Sequence, residues 1–432
     1  MKKAIVWFRN DLRVHDNAIL ERAINENDRV EAIYFFDPRA FEQNKFGFKR
    51  TEKFRAKFLI ETVIALKEEL EKINIPLFVH IQHPEDVFPQ FLEDRKVRAI
   101  YSQKEWTRNE NRVTKAVQSG IQRYNVEWIE MYDQFLFHPD DIPFAIHQVP
   151  KVFTNFRKKC EKYAEVRDLH TTPTMEKENL ATNDTKIPSL SQLGFSEFYI
   201  PEQSAFIFNG GHQAAQARVQ SYFWDNQHLK TYKETRNGLV GTEYSSKLSA
   251  WLANGSISAR TIYHEVKKFE REVTSNQSTY WLIFELIWRD FFKYISLQHG
   301  DQIFKLEGIL DKDYDWSTDS QKIEQWINGE TDEPFVNANM LEIKATGWMS
   351  NRGRQNVASY FAKEQQLDWR IGASYFESQL IDYDVHSNYG NWMYVAGVGN
   401  DPRDRKFNIQ KQAERYDPDQ KFQDLWLENV IH

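Results

Sequence analysis

The fold of this chain is organised by the segment Asp382-Tyr383-Asp384-Val385-His386-Ser387-Asn388-Tyr389-Gly390-Asn391-Trp392-Met393-Tyr394. Two carboxylates stand two residues apart, an amide follows, and a Gly-Asn-Trp run predicts a turn. We expect irregular backbone to continue through residues 396–403, which contain glycines, asparagines and an Asp-Pro pair. Polar side chains among aromatic rings favour a site for a large planar ligand with hydrogen-bonding edges. A surface turn rich in Asn and Asp is the alternative interpretation.

The composition is unusual in its aromatic content, which is 15% of 432 residues and includes 13 Trp. A buried indole needs a partner for its N–H group, so many tryptophans indicate either an aromatic ligand or an interface. A large core rich in Trp is the alternative. The net charge of −7 gives the whole molecule no attraction for nucleic acid, so any such binding requires a local basic patch.

The single cysteine, Cys160, excludes a disulfide framework and an iron–sulfur cluster held by four thiolates of this chain. We recognise no set of metal ligands in the sequence and predict no metal site. The first residues contain no apolar run typical of a secretory signal, and no later run reaches the length of a membrane span. We therefore predict a cytoplasmic protein that does not enter membranes.

The first third of the chain alternates short apolar runs with helical patterns. The clearest helical pattern covers residues 53–73, and no Gly-x-Gly-x-x-Gly turn follows the first run. Strands alternating with helices predict an α/β domain with a doubly wound parallel sheet over residues 1–131, which binds ligands beyond the carboxyl ends of its strands. The predicted strands are residues 4–8, 30–36, 76–81, 97–101 and 126–131.

The rest of the chain is predicted to hold a linker and a second domain. Residues 132–200 are rich in Pro, Thr, Ser and Asn and indicate an interdomain linker, with one helix at 154–167. Residues 201–432 predict a larger all-α domain. Its predicted helices are residues 213–224, 246–254, 259–274, 277–297, 322–328, 337–347 and 351–366.

One predicted helix, residues 278–292, is apolar nearly all round, which is typical of a buried helix. Helical spacing places Trp281, Glu285 and Trp288 on one face, with Arg289 one turn beyond Glu285. Burial among indoles raises the pKa of a carboxyl group, and such a group suits donation of a proton or hydrogen bond. A structural ion pair between Glu285 and Arg289 is the alternative.

Two further patterns indicate anion binding. Small hydroxyl residues at a predicted helix start, residues 241–249, favour a phosphate site to which Lys247 adds charge, although such serines are usually only caps. Several basic clusters can together line one anionic groove, while each taken singly is also consistent with a solvated charged face. They are Arg157, Lys158, Lys159, Arg236, Arg352, Arg354, Arg403, Arg405 and Lys406.

Three long motifs carry a family resemblance. They are Tyr232-Lys233-Glu234-Thr235-Arg236-Asn237-Gly238, Asn351-Arg352-Gly353-Arg354-Gln355-Asn356-Val357-Ala358-Ser359 and Asn391-Trp392-Met393-Tyr394-Val395-Ala396-Gly397-Val398-Gly399-Asn400-Asp401-Pro402. With them, the chain resembles the photolyase/cryptochrome family over nearly its whole length, and within that family the cryptochrome DASH branch.

The resemblance implies FAD bound in the helical domain. It implies that Asp382 pairs with Arg354, that Asp384 contacts the isoalloxazine edge and that Asn388 faces N5. It also implies an electron relay through Trp392, Trp369 and Trp316. The cofactor-binding residues that it implies are Tyr232, Ser245, Ser246, Lys247, Leu248, Ser249, Trp281, Arg289, Arg354, Asp382, Asp384 and Asn388.

The same resemblance implies a DNA substrate, a cyclobutane pyrimidine dimer flipped out of the stack. Tyr394 and Gln355 stand where photolyases acting on duplex DNA have Trp and Met, which favours single-stranded DNA. The residues implied in the substrate site are Glu285, Trp288, Asn351, Gln355 and Tyr394, with phosphate contacts from Arg236, Arg289 and Arg352.

A second chromophore, 5,10-methenyltetrahydrofolate, is implied as an antenna with Glu110 as its carboxylate contact, although a polar helix start is the alternative. We therefore predict a monomeric, blue-light-driven DNA repair enzyme. The alternative is a blue-light photoreceptor that signals through its flavin redox state and the binding of a partner or nucleic acid.

Overall fold

A computed structural model describes residues 2–93, 95–401 and 403–428. Five parallel strands form one sheet in the order β3-β2-β1-β4-β5. The chain crosses to the other side of β1 after β3, so the loops that follow β1 and β4 meet at the topological switch point, where such sheets bind ligands. The predicted doubly wound sheet is confirmed. The strands are β1 (Lys3–Trp7), β2 (Arg29–Phe35), β3 (Leu77–His80), β4 (Ala99–Gln103) and β5 (Glu127–Met131).

Helices cover both faces of this sheet, because its strands are apolar on both sides and must be buried on both. On one face, Trp7 packs edge-on against Phe35, Phe88 and Trp128. The helix predicted at residues 53–73 is the second of the domain. The helices are α1 (Ala18–Glu26), α2 (Lys53–Lys72), α3 (Pro84–Glu93) and α4 (Arg108–Ile121).

The segment between the two domains is mostly irregular, with α5 (Phe153–Tyr163) inside it. Part of it covers the edge strand β3. The amide of Asn183 donates to Leu77 O at 2.6 Å, and Val79 N donates to Thr185 Oγ1 at 2.9 Å. This segment thus satisfies backbone groups that an open sheet edge would expose. The division of the chain at residues 131 and 200 stays a prediction.

The second domain is helical, as predicted, and is built around the long helix α10. Asn276 begins this helix by accepting hydrogen bonds from Ser278 N and Thr279 N, and Thr279 Oγ1 in turn accepts one from Asn276 N. The helices are α6 (His212–Val219), α7 (Tyr232–Thr235), α8 (Ser249–Asn254), α9 (Ala259–Glu272), α10 (Gln277–His299), α11 (Ser320–Asn328), α12 (Pro334–Thr346), α13 (Asn351–Ser359), α14 (Trp369–Gln379), α15 (Val385–Ala396), α16 (Ile409–Tyr416) and α17 (Lys421–Leu427).

The turn predicted within the organising segment is wrong, because residues 385–396 form the regular helix α15. Asp384 caps it by accepting a hydrogen bond from Ser387 N at 2.8 Å. Gly390 lies inside this helix because a Cβ there would come within 2.3 Å of the Phe292 ring of α10. The predicted irregular backbone does follow, beginning at Gly397 with φ of 82°. Pro402 lies outside the described residues.

Within the described part of the chain, no helix has both the length and the apolar character needed to cross a membrane.

Candidate functional site

A cavity of about 550 Å³ opens in the helical domain between α10, α13, α15 and the loop that precedes α8. This volume lies within the range of small-molecule and cofactor sites. Most of the predicted site residues line it. They are Tyr232, Arg236, Ser245, Ser246, Lys247, Leu248, Ser249, Glu285, Trp288, Arg289, Asn351, Arg352, Arg354, Gln355, Asp382, Asp384 and Tyr394.

Lys247 is the most informative residue of this lining. It is 2% exposed, and its Nζ makes no hydrogen bond to the residues that the structure describes. Nζ lies 3.1 Å from the ring centroid of Tyr244 and 5.0 Å from that of Trp348. Burial lowers the pKa of Lys247 well below its usual range. An anion against Nζ would raise that pKa again, so the residue fits a phosphate group in the cavity.

The loop that carries Lys247 is held in place by Arg218 of α6. This buried guanidinium donates to Ser245 O and to Ser246 O, both at 3.0 Å, and to Glu243 at 2.8 Å. The carbonyl groups of the loop therefore have partners outside the cavity, which fixes the backbone of the predicted phosphate site. Sequence reasoning missed Arg218, because it belongs to another helix, α6.

Asp382 forms the predicted ion pair with Arg354, whose Nη2 lies 2.9 and 3.0 Å from its two carboxylate oxygens. Ser249 Oγ donates to the same carboxylate at 2.7 Å. Arg354 also lies over the Trp348 ring, with 5.5 Å between the guanidinium carbon and the ring centroid. These contacts hold the carboxylate of Asp382 and the guanidinium of Arg354 in fixed positions on the wall of the cavity that Lys247 also lines.

Asp384 has a partner that sequence reasoning missed, Lys293 of α10, at 2.9 Å. Burial alone would raise the pKa of Asp384, but the Lys293 ammonium holds that pKa well below its usual range. Asp384 is therefore a permanent carboxylate, and Lys293 balances its charge. A lysine in a helix that is predicted to be buried was the signal available in the sequence, because lysine is rarely buried without a partner.

Three predicted cofactor residues do not line this cavity. Asn388 is buried and its Nδ2 donates to Ala373 O at 2.9 Å, while Asn391 of the next turn reaches the cavity wall. Trp281 stacks on Phe284, with 4.6 Å between ring centroids. The third, Glu110, lies in a second cavity. The contact of Asn388 with N5 stays a prediction.

At the mouth of the cavity, Glu285 pairs with Arg236 at 2.9 Å. The alternative pair with Arg289 is wrong, because the Arg289 guanidinium donates to Gln134 O at 2.7 Å and to Leu252 O at 3.1 Å. Burial raises the pKa of Glu285, and the charge of Arg236 opposes this rise. Glu285 is therefore a carboxyl group that gains a proton more readily once Arg236 moves away.

Aromatic rings form one wall of the mouth. Trp288 stacks on Phe153 of α5 with 3.6 Å between centroids and 9° between ring planes, and it meets Tyr394 edge-on at 5.9 Å. The hydroxyl of Tyr394 accepts a hydrogen bond from Arg405 Nη2 at 2.9 Å. Phe153 and Arg405 thus hold the two predicted substrate residues, although Phe153 lies in what the sequence presents as a linker.

Basic side chains surround the mouth. Arg352 donates to Gln355 and to Asn237, each at 3.0 Å, and lies over the Tyr416 ring. Lys158 and Lys159 are exposed on α5, while Arg157 pairs with Glu161. Of the residues of the predicted basic groove, Arg236, Arg352, Arg354 and Arg405 line the cavity itself.

The three predicted relay tryptophans lie on adjoining segments that run from the interior to the surface. Trp392 and Trp369 are 2% and 0% exposed, and Trp316 is half-buried. A Cβ at Gly372 of α14 would lie 2.2 Å from the Trp392 ring, so α14, which begins at Trp369, contacts that ring directly. Residue 317 is joined to the chain before α14 by hydrogen bonds of 2.8 and 2.9 Å. The order 392, 369, 316 is thus physically possible.

A second cavity of about 230 Å³ lies between the two domains, and Glu110 lines it. Thr107 Oγ1 donates to the carboxylate of Glu110. Arg289 and Asp384 line both cavities, so a single layer of side chains separates them. A ligand in the second cavity would lie close to one in the first.

The fold and the cavity define a class of protein, a two-domain flavoprotein of the photolyase type. Residues 4–176 match the model of the family described as DNA photolyase, and residues 281–432 match that described as FAD binding domain of DNA photolyase. Nζ of Lys247 makes no hydrogen bond within the described residues, and the serines of residues 245–249 line the same cavity. Both features suit the phosphates of FAD. The chain therefore carries an FAD-binding domain.

Comparison with individual proteins is more specific. The chain is 46% identical over 427 residues to "Cryptochrome DASH" of Gloeobacter violaceus, covering 99% of this chain and 85% of that one. The crystal structure of a Synechocystis sp. PCC6803 cryptochrome superposes with a TM-score of 0.95 at 44% identity, covering 100% and 89%. This chain belongs to the photolyase/cryptochrome family, and both of these relatives are cryptochromes.

The fold is also shared with an archaeal photolyase from Sulfolobus tokodaii, whose crystal structure holds two FAD molecules. That structure superposes with a TM-score of 0.78 at 26% identity, covering 99% of this chain and 90% of the archaeal one.

Replacing Lys247 by methionine should weaken FAD binding by roughly 10- to 100-fold, since a hydrogen bond to a charged group contributes about 1.5–3 kcal/mol. Methionine keeps an unbranched side chain at this position of positive φ, 62°. Titration of the apoprotein with FAD measures the affinity. Lys96→Met, an exposed lysine with φ of 49°, is the matched control. An unchanged affinity in Lys247→Met would contradict the assignment.

Proposed function

We propose that this protein is a blue-light-driven, FAD-dependent enzyme that splits cyclobutane pyrimidine dimers, with a preference for single-stranded DNA. One observation carries the proposal: a single cavity is lined both by a buried cluster suited to a dinucleotide cofactor and by a carboxyl group among aromatic rings at its mouth. The buried cluster centres on Lys247, Asp382 and Arg354. The mouth centres on Glu285, Trp288 and Tyr394.

Reduced FAD, when bound, supplies a light-driven electron transfer to the dimer and recovers the electron after the two carbon–carbon bonds have broken, so that no net oxidation occurs. The residues of this chain hold the cofactor and exclude water. Lys247 and the hydroxyl groups of residues 245–249 would bind its phosphates and ribityl chain. The Arg354–Asp382 pair and Asp384, whose charge Lys293 balances, would set the polarity around its ring system.

The mouth of the cavity would receive the flipped dimer. Trp288 offers a ring that Phe153 holds in place, and Tyr394 forms the adjoining wall. Arg236 and Arg352 would bind the flanking phosphates, and Asn351 and Gln355 present amides beside them. Arg289 is less suited to this task, because two main-chain carbonyls already occupy its N–H groups.

The preference for single strands rests on the wall formed by Tyr394. A phenol ring provides a smaller stacking surface than an indole, and stacking on aromatic side chains contributes about 1–3 kcal/mol per base. Flipping a lesion out of a duplex also requires unpairing, which an unpaired strand avoids. A protein with the smaller ring should therefore act on single-stranded DNA better than on a duplex.

The direct test uses a single-stranded oligonucleotide that contains one cyclobutane thymine dimer, together with chemically reduced, FAD-loaded protein. Under blue light the dimer should disappear, as measured by chromatography, while a dark sample keeps it. The annealed duplex should be repaired more slowly. Persistence of the dimer in illuminated samples of fully reduced protein would refute the repair activity and favour the photoreceptor alternative.

The monomeric state and the cytoplasmic location stay predictions.

We also propose that the second cavity binds the folate antenna, 5,10-methenyltetrahydrofolate, through Glu110. Glu110→Ala should remove a near-ultraviolet absorption band from the purified protein and leave the flavin spectrum unchanged, because Glu110 does not line the first cavity. Glu93→Ala, an exposed acid elsewhere in the same domain, is the control. A band that survives in Glu110→Ala would exclude this contact. A flavin content of two per chain would instead indicate a second FAD in place of the folate.

A further inference from the structure

Three side chains far apart in the sequence converge where the two domains meet. His15 lies in the loop after β1, Glu69 in the last turn of α2, and His212 is the first residue of α6. One ligand atom from each, an imidazole nitrogen or a carboxylate oxygen, lies within 4.8 Å of the other two. None of the three lines either cavity described above. We call this group the His15–Glu69–His212 cluster.

Two of these groups are buried, and each has one polar atom that makes no hydrogen bond within the described residues. Glu69 and His212 are 7% and 3% exposed, and neither Oε2 of Glu69 nor Nε2 of His212 makes a hydrogen bond within the described part of the chain. Burial raises the pKa of Glu69 to about 7 and lowers that of His212 to about 4. A buried carboxylate without a donor is unfavourable, and a cation placed beside it would offset that free energy.

The tautomer of His212 leaves one nitrogen available. Its Nδ1 lies 2.8 Å from the carbonyl oxygen of Ser256, which can only accept, so Nδ1 carries the proton. The lone pair of the buried Nε2, which makes no hydrogen bond within the described residues, is then available to bind a cation. Metal-binding histidines usually donate their other N–H group to a carbonyl or carboxylate in this way, which fixes the orientation of the ring.

The backbone around the cluster is rigid. A Cβ at Gly211 would lie 2.5 Å from Cβ of Ala65, so the start of α6 is pressed against α2 and fixes the distance between Glu69 and His212. The residues on either side of His15 are held too. Arg13 donates to Gly255 O at 3.1 Å, and Asp16 pairs with Arg260 at 2.9 Å.

The His15 side chain itself is exposed, and its ring stacks on that of His212 with 4.5 Å between centroids and 22° between planes. It is therefore the member of the cluster that can rotate. Zinc ligands at 2.0–2.1 Å in a tetrahedron lie roughly 3.4 Å from one another. The three ligand atoms, which lie within 4.8 Å of one another, therefore need side-chain rotations, the largest of them at His15, to bind one ion. Its exposure also gives a metal ion a path into the site.

We propose that the His15–Glu69–His212 cluster binds a divalent transition metal ion, with Zn²⁺ the best match, and that this ion links the two domains. Two imidazole nitrogens and one carboxylate oxygen form a ligand set that suits Zn²⁺, and water would complete the tetrahedron. The ion would tie the loop after β1 to α2 and to the start of the helical domain. Its role is structural, since it lies outside both cavities.

The test titrates ZnCl₂ alone into the full-length, FAD-loaded protein after metals have been removed with a chelator. One Zn²⁺ per chain should bind, and the ion should raise the melting temperature. Loss of an outer-shell partner lowers metal affinity by about 10- to 100-fold, so loss of a ligand in Glu69→Gln or His212→Ala should lower it by more than ~100-fold. The exposed His147, which lies outside the cluster, supplies the control His147→Ala, with unchanged affinity.

X-ray absorption of the zinc-loaded parent protein gives a second measurement that does not depend on the variants. It should show two imidazole nitrogens and one or two oxygens at 2.0–2.2 Å. Flavin absorbance of each variant reports whether it has folded. The proposal would be overturned if the parent did not bind Zn²⁺ or if His212→Ala bound it equally well. An X-ray absorption spectrum without imidazole nitrogens around the zinc would overturn it too.

Discussion

Replacing Trp392 by phenylalanine should remove most of the light-driven reduction of bound FAD, while the repair activity of chemically pre-reduced protein is retained. Trp392 is a buried residue of α15, the helix that also carries the cavity-lining residues Asn391 and Tyr394. An indole is among the more easily oxidised side chains, and a phenyl ring is much harder to oxidise. The first step of the relay would therefore be lost, although the proposed repair cycle would not need it.

The measurement follows the flavin absorbance under continuous blue light with a thiol as the external electron donor. Trp326→Phe is a well-matched control, because Trp326 is also buried and its ring lies 6.2 Å from that of Trp392. In that variant, photoreduction should proceed as in the parent. Equal rates in the parent and Trp392→Phe would disprove the relay, and a loss only in Trp326→Phe would assign the first step to the other indole.

The sequence predicted the layered fold well because buried parallel strands must be apolar on both faces. The runs at residues 4–8 and 30–36 therefore stand out against the polar helices beside them, and they became β1 and β2. The burial of α10 followed from the same reasoning, since its sequence offers no polar face.

Sequence analysis missed the helix α15 because its residues have low helix propensity and are instead explained by close packing and by the cavity that they line. Gly390 and the asparagines beside it are turn formers, but Gly390 is required by the close approach of Phe292. Local propensity is a weak guide where tertiary contact decides, and sites are where the two most often disagree.

The partners of the site residues were the least predictable part. Spacing along α10 suggested that Glu285 binds its neighbour Arg289, yet Glu285 binds Arg236 from α7's C-terminal end, and Arg289 binds main-chain carbonyls. Which of two arginines reaches a carboxylate depends on how helices cross, and periodicity carries no information on that. The His15–Glu69–His212 cluster is the extreme case, because its members come from three separate elements.

Glu285→Ala should reduce dimer repair by roughly 10- to 100-fold, because a hydrogen bond to a group that gains charge contributes about 1.5–3 kcal/mol. In the structure, Nη2 of Arg236 lies 2.9 Å from Oε1 of this carboxyl group. In the proposed complex, Arg236 would turn to a DNA phosphate, its charge would no longer oppose the effect of burial, and the pKa of Glu285 would rise further above its usual value. The protonated acid can then donate to a carbonyl of the dimer, where negative charge develops during the reaction.

The sign of the pH dependence follows from this assignment. The donating form of Glu285 is present below its raised pKa and is lost as the pH rises through it, so repair by the parent should fall with increasing pH. Glu285→Gln keeps an N–H donor that does not titrate, so it should retain more activity than Glu285→Ala and vary less with pH. The quantum yield of repair, measured at several pH values with equal FAD content, tests both expectations. Alanine and glutamine variants of equal activity, or a glutamine variant with the pH profile of the parent, would show that Glu285 only positions Arg236.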